Sequence, residues 1–100
     1  MINHVVLFKM KEFSNSEDKK QAMLQVKDQI ENLKNEIKEV KLIEVGLHYD
    51  IDSPSYDISL ISHFNSIEDL DIYRVHPEHK KVVDFINEVT ESRAAVDYKF

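Results

Sequence analysis

Cysteine is absent from this 100-residue chain, which removes disulfides, thiol catalysis and any thiolate metal site together. Glycine occurs once and proline twice, so few turns are forced and the chain should be mostly helix and strand with short connections. The lone Gly46 also excludes a glycine-rich phosphate loop, and Gly-x-Ser-x-Gly is missing. No apolar run reaches the roughly 18 residues of a membrane span, and the start Met1-Ile2-Asn3-His4-Val5 lacks the basic-then-apolar order of a signal peptide. Basic residues are outnumbered: Lys+Arg 13 against Asp+Glu 19 leaves a net charge of −6, which repels phosphate backbones and argues against nucleic acid or an anionic membrane as partner. The expected setting is a reducing cytoplasm.

The chain does hold 42% hydrophobic residues, enough for a packed core in a single domain spanning residues 1–100. Ile2–Met10 is short, apolar and rich in Val, Ile and Phe, which suits a strand. Its alternation sets Ile2, His4, Val6, Phe8 and Met10 against Asn3, Val5, Leu7 and Lys9. Apolar residues on both faces place it centrally, covered on each side. Ser14 or Ser16 then opens a helix of about six turns, with Ser14 and Glu17 fitting a capping box and Ala22, Met23, Val26, Ile30, Leu33 and Ile37 on one stripe. Lys41–Ile51 alternates, with Ile43, Val45, Leu47, Tyr49 and Ile51 on one face. After the Asp52-Ser53-Pro54-Ser55 turn, Tyr56–Phe64 alternates again, with Asp57, Ser59, Ile61 and His63 opposite Tyr56, Ile58, Leu60 and Phe64. Ser66 and Asp69 cap a short helix carrying Leu70 and Tyr73, and Pro77 stops it and begins another that runs to about Val89. Val96–Phe100 closes the chain as a strand.

Strand, long helix, two strands, broken helix and strand is an α+β order. A ferredoxin-like four-stranded antiparallel sheet with the helices on one face satisfies it. The other sheet face would collect Val5, Leu7, Leu42, Ile61 and Ala95 beside Asn3, Lys9, Glu44, Asp57 and Asp97. That mixture is too apolar for water and too polar for a dry core, so a second copy packed sheet to sheet about a two-fold axis is expected to cover it.

Titratable groups are densest in Leu70–His79. His79 shares the buried stripe of its helix with Val83 and Ile86, and His4 lies on the strand face that the helices should cover. His4, Tyr73 and His79 can therefore converge between sheet and helices, where two imidazoles and a phenol in an apolar pocket could move a proton and stabilise an oxyanion. Each also has a structural reading: His76 as a helix cap, His79 bonded to a backbone carbonyl, Tyr73 as a core aromatic with its hydroxyl at the rim. His76 and His79 superficially resemble a metal-ligand pair, but His-Glu-x-x-His is absent and Pro77 breaks the geometry, so no metal is expected. His48 and His63, on the polar sheet face, should not reach that pair.

These residues resemble the stress-responsive A/B barrel domain family, within the dimeric α+β barrel superfamily. The likeness runs from His4-Val5-Val6-Leu7-Phe8-Lys9 through Val45-Gly46 and Tyr56-Asp57-Ile58, is sharpest at Leu70-x-x-Tyr73-x-x-His76-Pro77-x-His79, and ends in Val96-Asp97-Tyr98. It implies a ferredoxin-like subunit forming a two-fold barrel. It further implies, by analogy with a plant polyketide cyclase of the family, cofactor-free acid–base chemistry with His79 as general base and Tyr73 as oxyanion donor. His4 would shape the pocket, and Phe8 and His76 are expected to help bind a small molecule. The Ile-Pro-Gly-type turn common after the family's long helix is replaced here by Glu36-Ile37-Lys38-Glu39-Val40. A non-catalytic binding or stress-protective module, or a cofactor-free monooxygenase, are the alternatives.

Overall fold

A computed structural model describes residues 1–100. Its elements are β1 (Ile2–Met10), α1 (Ser16–Glu36), β2 (Leu42–Leu47), β3 (Ile58–Phe64), α2 (Ile67–Val75), α3 (Pro77–Val89) and β4 (Thr90–Lys99). The strands form one antiparallel sheet in the order β2-β3-β1-β4, so the expected ferredoxin-like topology is found and β1 is central. Helices cover one face. The alternation of β1 is realised residue by residue: Ile2, His4, Val6, Phe8 and Met10 are buried beneath the helices.

All six apolar residues of the α1 stripe, Ala22 to Ile37, are buried in the core against the sheet. At roughly 1.5–3 kcal/mol for each large aliphatic side chain buried, this face outweighs the helix's otherwise polar surface. Shortening Ile30, which is 1% exposed, would open a void beneath the sheet. The helix begins one residue away from the expected capping box. Asn15 is the N-cap, its side chain accepting from the Asp18 N–H at 2.8 Å, while Ser16 is already helical and its hydroxyl donates to Asp52. Asn is as good a cap as Ser, and its amide oxygen reaches the free N–H just as a hydroxyl does.

Three further expectations are corrected. β2 stops at Leu47, so Tyr49 leaves the apolar face and stands 94% exposed. β3 starts only at Ile58, because the chain before it bends; alternation holds only within a ladder, and the parity read back through Tyr56 fails. Asp57 therefore is not on the open sheet face. It is buried at 1% exposure, its Oδ2 accepting the Met10 N–H at 2.7 Å and its Oδ1 3.0 Å from Lys19 Nζ. It ties the hairpin end to β1 and α1.

The largest difference is β4. It begins directly after α3 and pairs with β1 over nearly its whole length, with one irregularity at Lys9/Met10. This register puts Asp97 opposite His4, Ala95 opposite Val6 and Arg93 opposite Phe8, all on the helix-covered face. Ala95 and Asp97 are thus on the opposite side from the expected one, and Ala94, Val96 and Tyr98 take the open face with Val5, Leu7 and Ile61. A one-residue change of parity moves every side chain of a strand to the other face.

Candidate functional site

Pro77 lacks an N–H and cannot continue α2, so the chain breaks at His76 and restarts as α3 with Pro77 in its first turn. The break leaves helix-end groups needing partners. The Glu78 N–H donates to His76 Nδ1 at 3.1 Å, and the Arg74 carbonyl accepts from His79 Nδ1 at 3.1 Å. A carbonyl only accepts, so His79 carries its proton on Nδ1 and Nε2 is left with a free lone pair. His76 is spent as a cap and does not line the cavity described below, so the expected binding role for it is not met by its position.

The same break sets Tyr73 beside His79, with ring centroids 4.3 Å apart and planes inclined at 46°. Phe64 packs on Tyr73 at 5.0 Å, and the His4 ring lies 6.3 Å from it in an edge-on arrangement. Tyr73 is 1% exposed, and its hydroxyl makes no hydrogen bond within the protein; the oxygen itself is not fully buried, and the residue lines a cavity. His4, Phe8, Tyr73 and His79 all line one cavity of about 170 Å³ between sheet and helices, whose remaining walls are mostly aliphatic. Four of the five expected site residues are therefore brought together. His48 lies beyond the end of β2 against Tyr49, and His63 packs on Phe100; neither lines the cavity.

A polar chain supports this group from behind. His4 Nδ1 meets Asp97 Oδ1 at 2.5 Å, and since a carboxylate only accepts, His4 also has its Nε2 unprotonated. The other Asp97 oxygen accepts from Arg74 Nη2, and Arg74 Nη1 donates to Asp71 at 3.2 Å. Nothing in the sequence pattern marks Arg74, Asp97, Arg93 or Asn87 as parts of the site. The expected strand parity puts Asp97 on the open sheet face, and Arg93 is recognisable only from its place opposite Phe8.

Burial sets the ionisation. It lowers the pKa of His4 from 6.5, the hydrogen bond and charge of Asp97 opposing it only in part. It lowers that of His79 as well, against the Arg74 carbonyl and aided by repulsion from His4 when that ring is protonated and from the charges of Arg93 and Arg74. It raises Tyr73 well above the ordinary phenol range. Near neutral pH the cavity thus presents two neutral imidazoles with free Nε2 atoms and one protonated phenol: two bases and a donor. No group of three His, Asp or Glu side chains is spaced to hold a metal ion.

The family model for the stress responsive A/B barrel domain matches residues 2–100. A stress-response A/B barrel domain-containing protein of Arabidopsis thaliana is 29% identical over an alignment of 100 positions that covers 98% of this chain and 46% of that protein, so the chain spans about half the length of this curated relative. Among solved structures, a dimeric protein of unknown function with a ferredoxin-like fold from Bacteroides fragilis is 37% identical at a TM-score of 0.89, covering 99% of this chain and 95% of that one. The hydroxynitrile lyase of Passiflora edulis shares the fold at 17% identity and a TM-score of 0.80, covering 97% of this chain and 90% of its own.

Proposed function

This chain belongs to the stress-responsive A/B barrel domain family, and from that premise we propose that it binds a small carbonyl compound between sheet and helices and carries out acid–base chemistry on it with Tyr73 and His79. The observation that carries this reading is the pairing itself: a tyrosine packed in the core whose hydroxyl has no partner in the fold, 4.3 Å ring to ring from an imidazole whose tautomer is set by the Arg74 carbonyl, both lining one cavity. In the proposed step a C–H bond beside the carbonyl breaks. Its proton goes to His79 Nε2, and the electron pair moves into the enolate. The oxygen that gains charge accepts a hydrogen bond from the Tyr73 hydroxyl, which an apolar, low-dielectric cavity makes stronger than in water. The enolate then attacks a second carbonyl or takes a proton back, and His79 returns to its neutral form. His4, held by Asp97, orients the bound molecule.

The working unit in this proposal is a homodimer. The open sheet face carries Val5, Leu7, Ile61, Val96 and Tyr98, of which Val96 and Tyr98 are exposed in the single chain. Similar structures from Bacteroides fragilis and Thermobifida fusca are described as dimeric. A second copy is the occupant that this face fits.

Acetophenone in D2O tests the chemistry. Wild-type protein should speed exchange of its methyl protons for deuterium, and His79→Ala or Tyr73→Phe should each lower the protein-dependent rate by about a hundredfold or more. Exchange no faster than in buffer would remove the catalytic reading and leave at most a binding module.

A further inference from the structure

The cavity also carries a charge that no carboxylate of the single chain balances. Of the charged side chains lining it, Arg74 is matched by Asp71 and Asp97. Arg93 has no carboxylate within ion-pair distance, and its neighbour across the β1–β4 ladder is the apolar Phe8. Arg93 is exposed while lining the cavity, so it stands at the open side. Asn87 of α3 lines the same cavity, is likewise exposed, and its side-chain amide makes no hydrogen bond. Exposed, unused donors from two elements thus line one mostly apolar hollow.

We propose that the natural ligand is a small organic acid whose carboxylate sits at this rim on Arg93, with the Asn87 amide beside it, while its apolar part and reacting carbonyl lie inward among Phe8, Tyr73 and His79. The proposal rests on the reading that the cavity binds a small carbonyl compound, and adds the charge and size of that compound. A single planar guanidinium matches a carboxylate with two parallel hydrogen bonds, and one unpaired cation suits a monoanion better than a phosphate dianion. Size agrees. A buried apolar cavity of about 150 Å³ is known to take benzene, so about 170 Å³ accommodates one ring or a short acyl chain, and leaves a carboxylate outside the hollow. A one-ring keto acid or a short β-keto acid has the required parts.

Benzoate and its neutral isostere benzamide separate the possibilities. Their binding is followed through the imidazole NMR signals of His4 and His79 in wild-type protein, Arg93→Leu and Arg93→Lys. In wild type, benzoate should bind at least about tenfold more tightly than benzamide, with the preference shrinking as salt is added. Arg93→Leu should erase the preference by bringing benzoate down to the level of benzamide, and Arg93→Lys should keep part of it. Equal binding of the two probes by wild type, or a preference that survives Arg93→Leu, overturns the carboxylate proposal while the cavity reading stands. If neither probe moves the His4 or His79 signals, both are lost.

Discussion

His4 and Asp97 lie 93 residues apart in the chain and meet at 2.5 Å between Nδ1 and Oδ1. The carboxylate partly offsets the effect of burial on the imidazole, and burial prevails. Asp97→Asn should therefore lower the His4 pKa further, since a hydrogen bond to the imidazolium and a negative charge beside it are both lost. A 15N-detected titration of the imidazole checks this. An unchanged or raised midpoint would show that Asp97 is not what sustains the basicity of His4.

Acid should weaken the fold through these same histidines. Both have folded pKa values below 6.5, so the unfolded chain takes up protons first as pH falls. By linkage, their contribution to stability is complete above 6.5 and declines as pH drops from there through the lowered folded values. Thermal unfolding at pH 7.5, 6.5 and 5.0 should show the loss. His4→Asn and His79→Gln should each flatten the histidine-dependent part of the curve.

Tyr73 separates packing from chemistry. Its hydroxyl has no partner in the fold, so Tyr73→Phe should change the unfolding free energy by no more than about 0.5 kcal/mol while lowering the exchange rate. Tyr73→Ala also removes the ring packed between Phe64 and His79, at a cost of roughly 3–5 kcal/mol, a large share of a small domain's stability. Urea denaturation of both variants measures the difference.

His76 should behave as a cap only. His76→Ala leaves the Glu78 N–H without its side-chain acceptor and should cost about 1 kcal/mol, with no change in probe binding or proton exchange. A large fall in ligand affinity with stability intact would return His76 to the site.

Dimerisation has a direct test as well. Val96→Glu puts a charge on the open sheet face, on the edge strand β4 opposite Val5 of β1 and on the same side as Tyr98. Light scattering should find a dimer for wild type and a monomer for the variant. A wild-type monomer at micromolar concentration would dispose of the sheet-to-sheet proposal.

Much of this molecule can be read along its chain. The bounds of β1, the buried stripe of α1, the Ser66 cap of α2 and the break at His76-Pro77 each depend on side-chain period, capping chemistry or the missing proline N–H. These are properties of a few neighbouring residues, and they already put His4, Tyr73 and His79 on inward-facing positions. Less was legible where strands end. Tyr49, Tyr56 and Asp57 sit just outside their ladders, where alternation no longer dictates which way a side chain points.

Composition and local pattern thus determined the class of fold, the order of its elements and the histidine and tyrosine that face its interior, because period and capping act over one or two turns of chain. Only the tertiary structure decided the partner of His4, the side of the sheet on which Asp97 and Arg93 fall, and hence the unpaired charge at the rim. Those follow from the register of β4 against β1, a choice between strands at opposite ends of the chain. No local rule sets that register. The pairing of whole strands does, and a slip of one residue would have turned Asp97 and Arg93 away from the cavity.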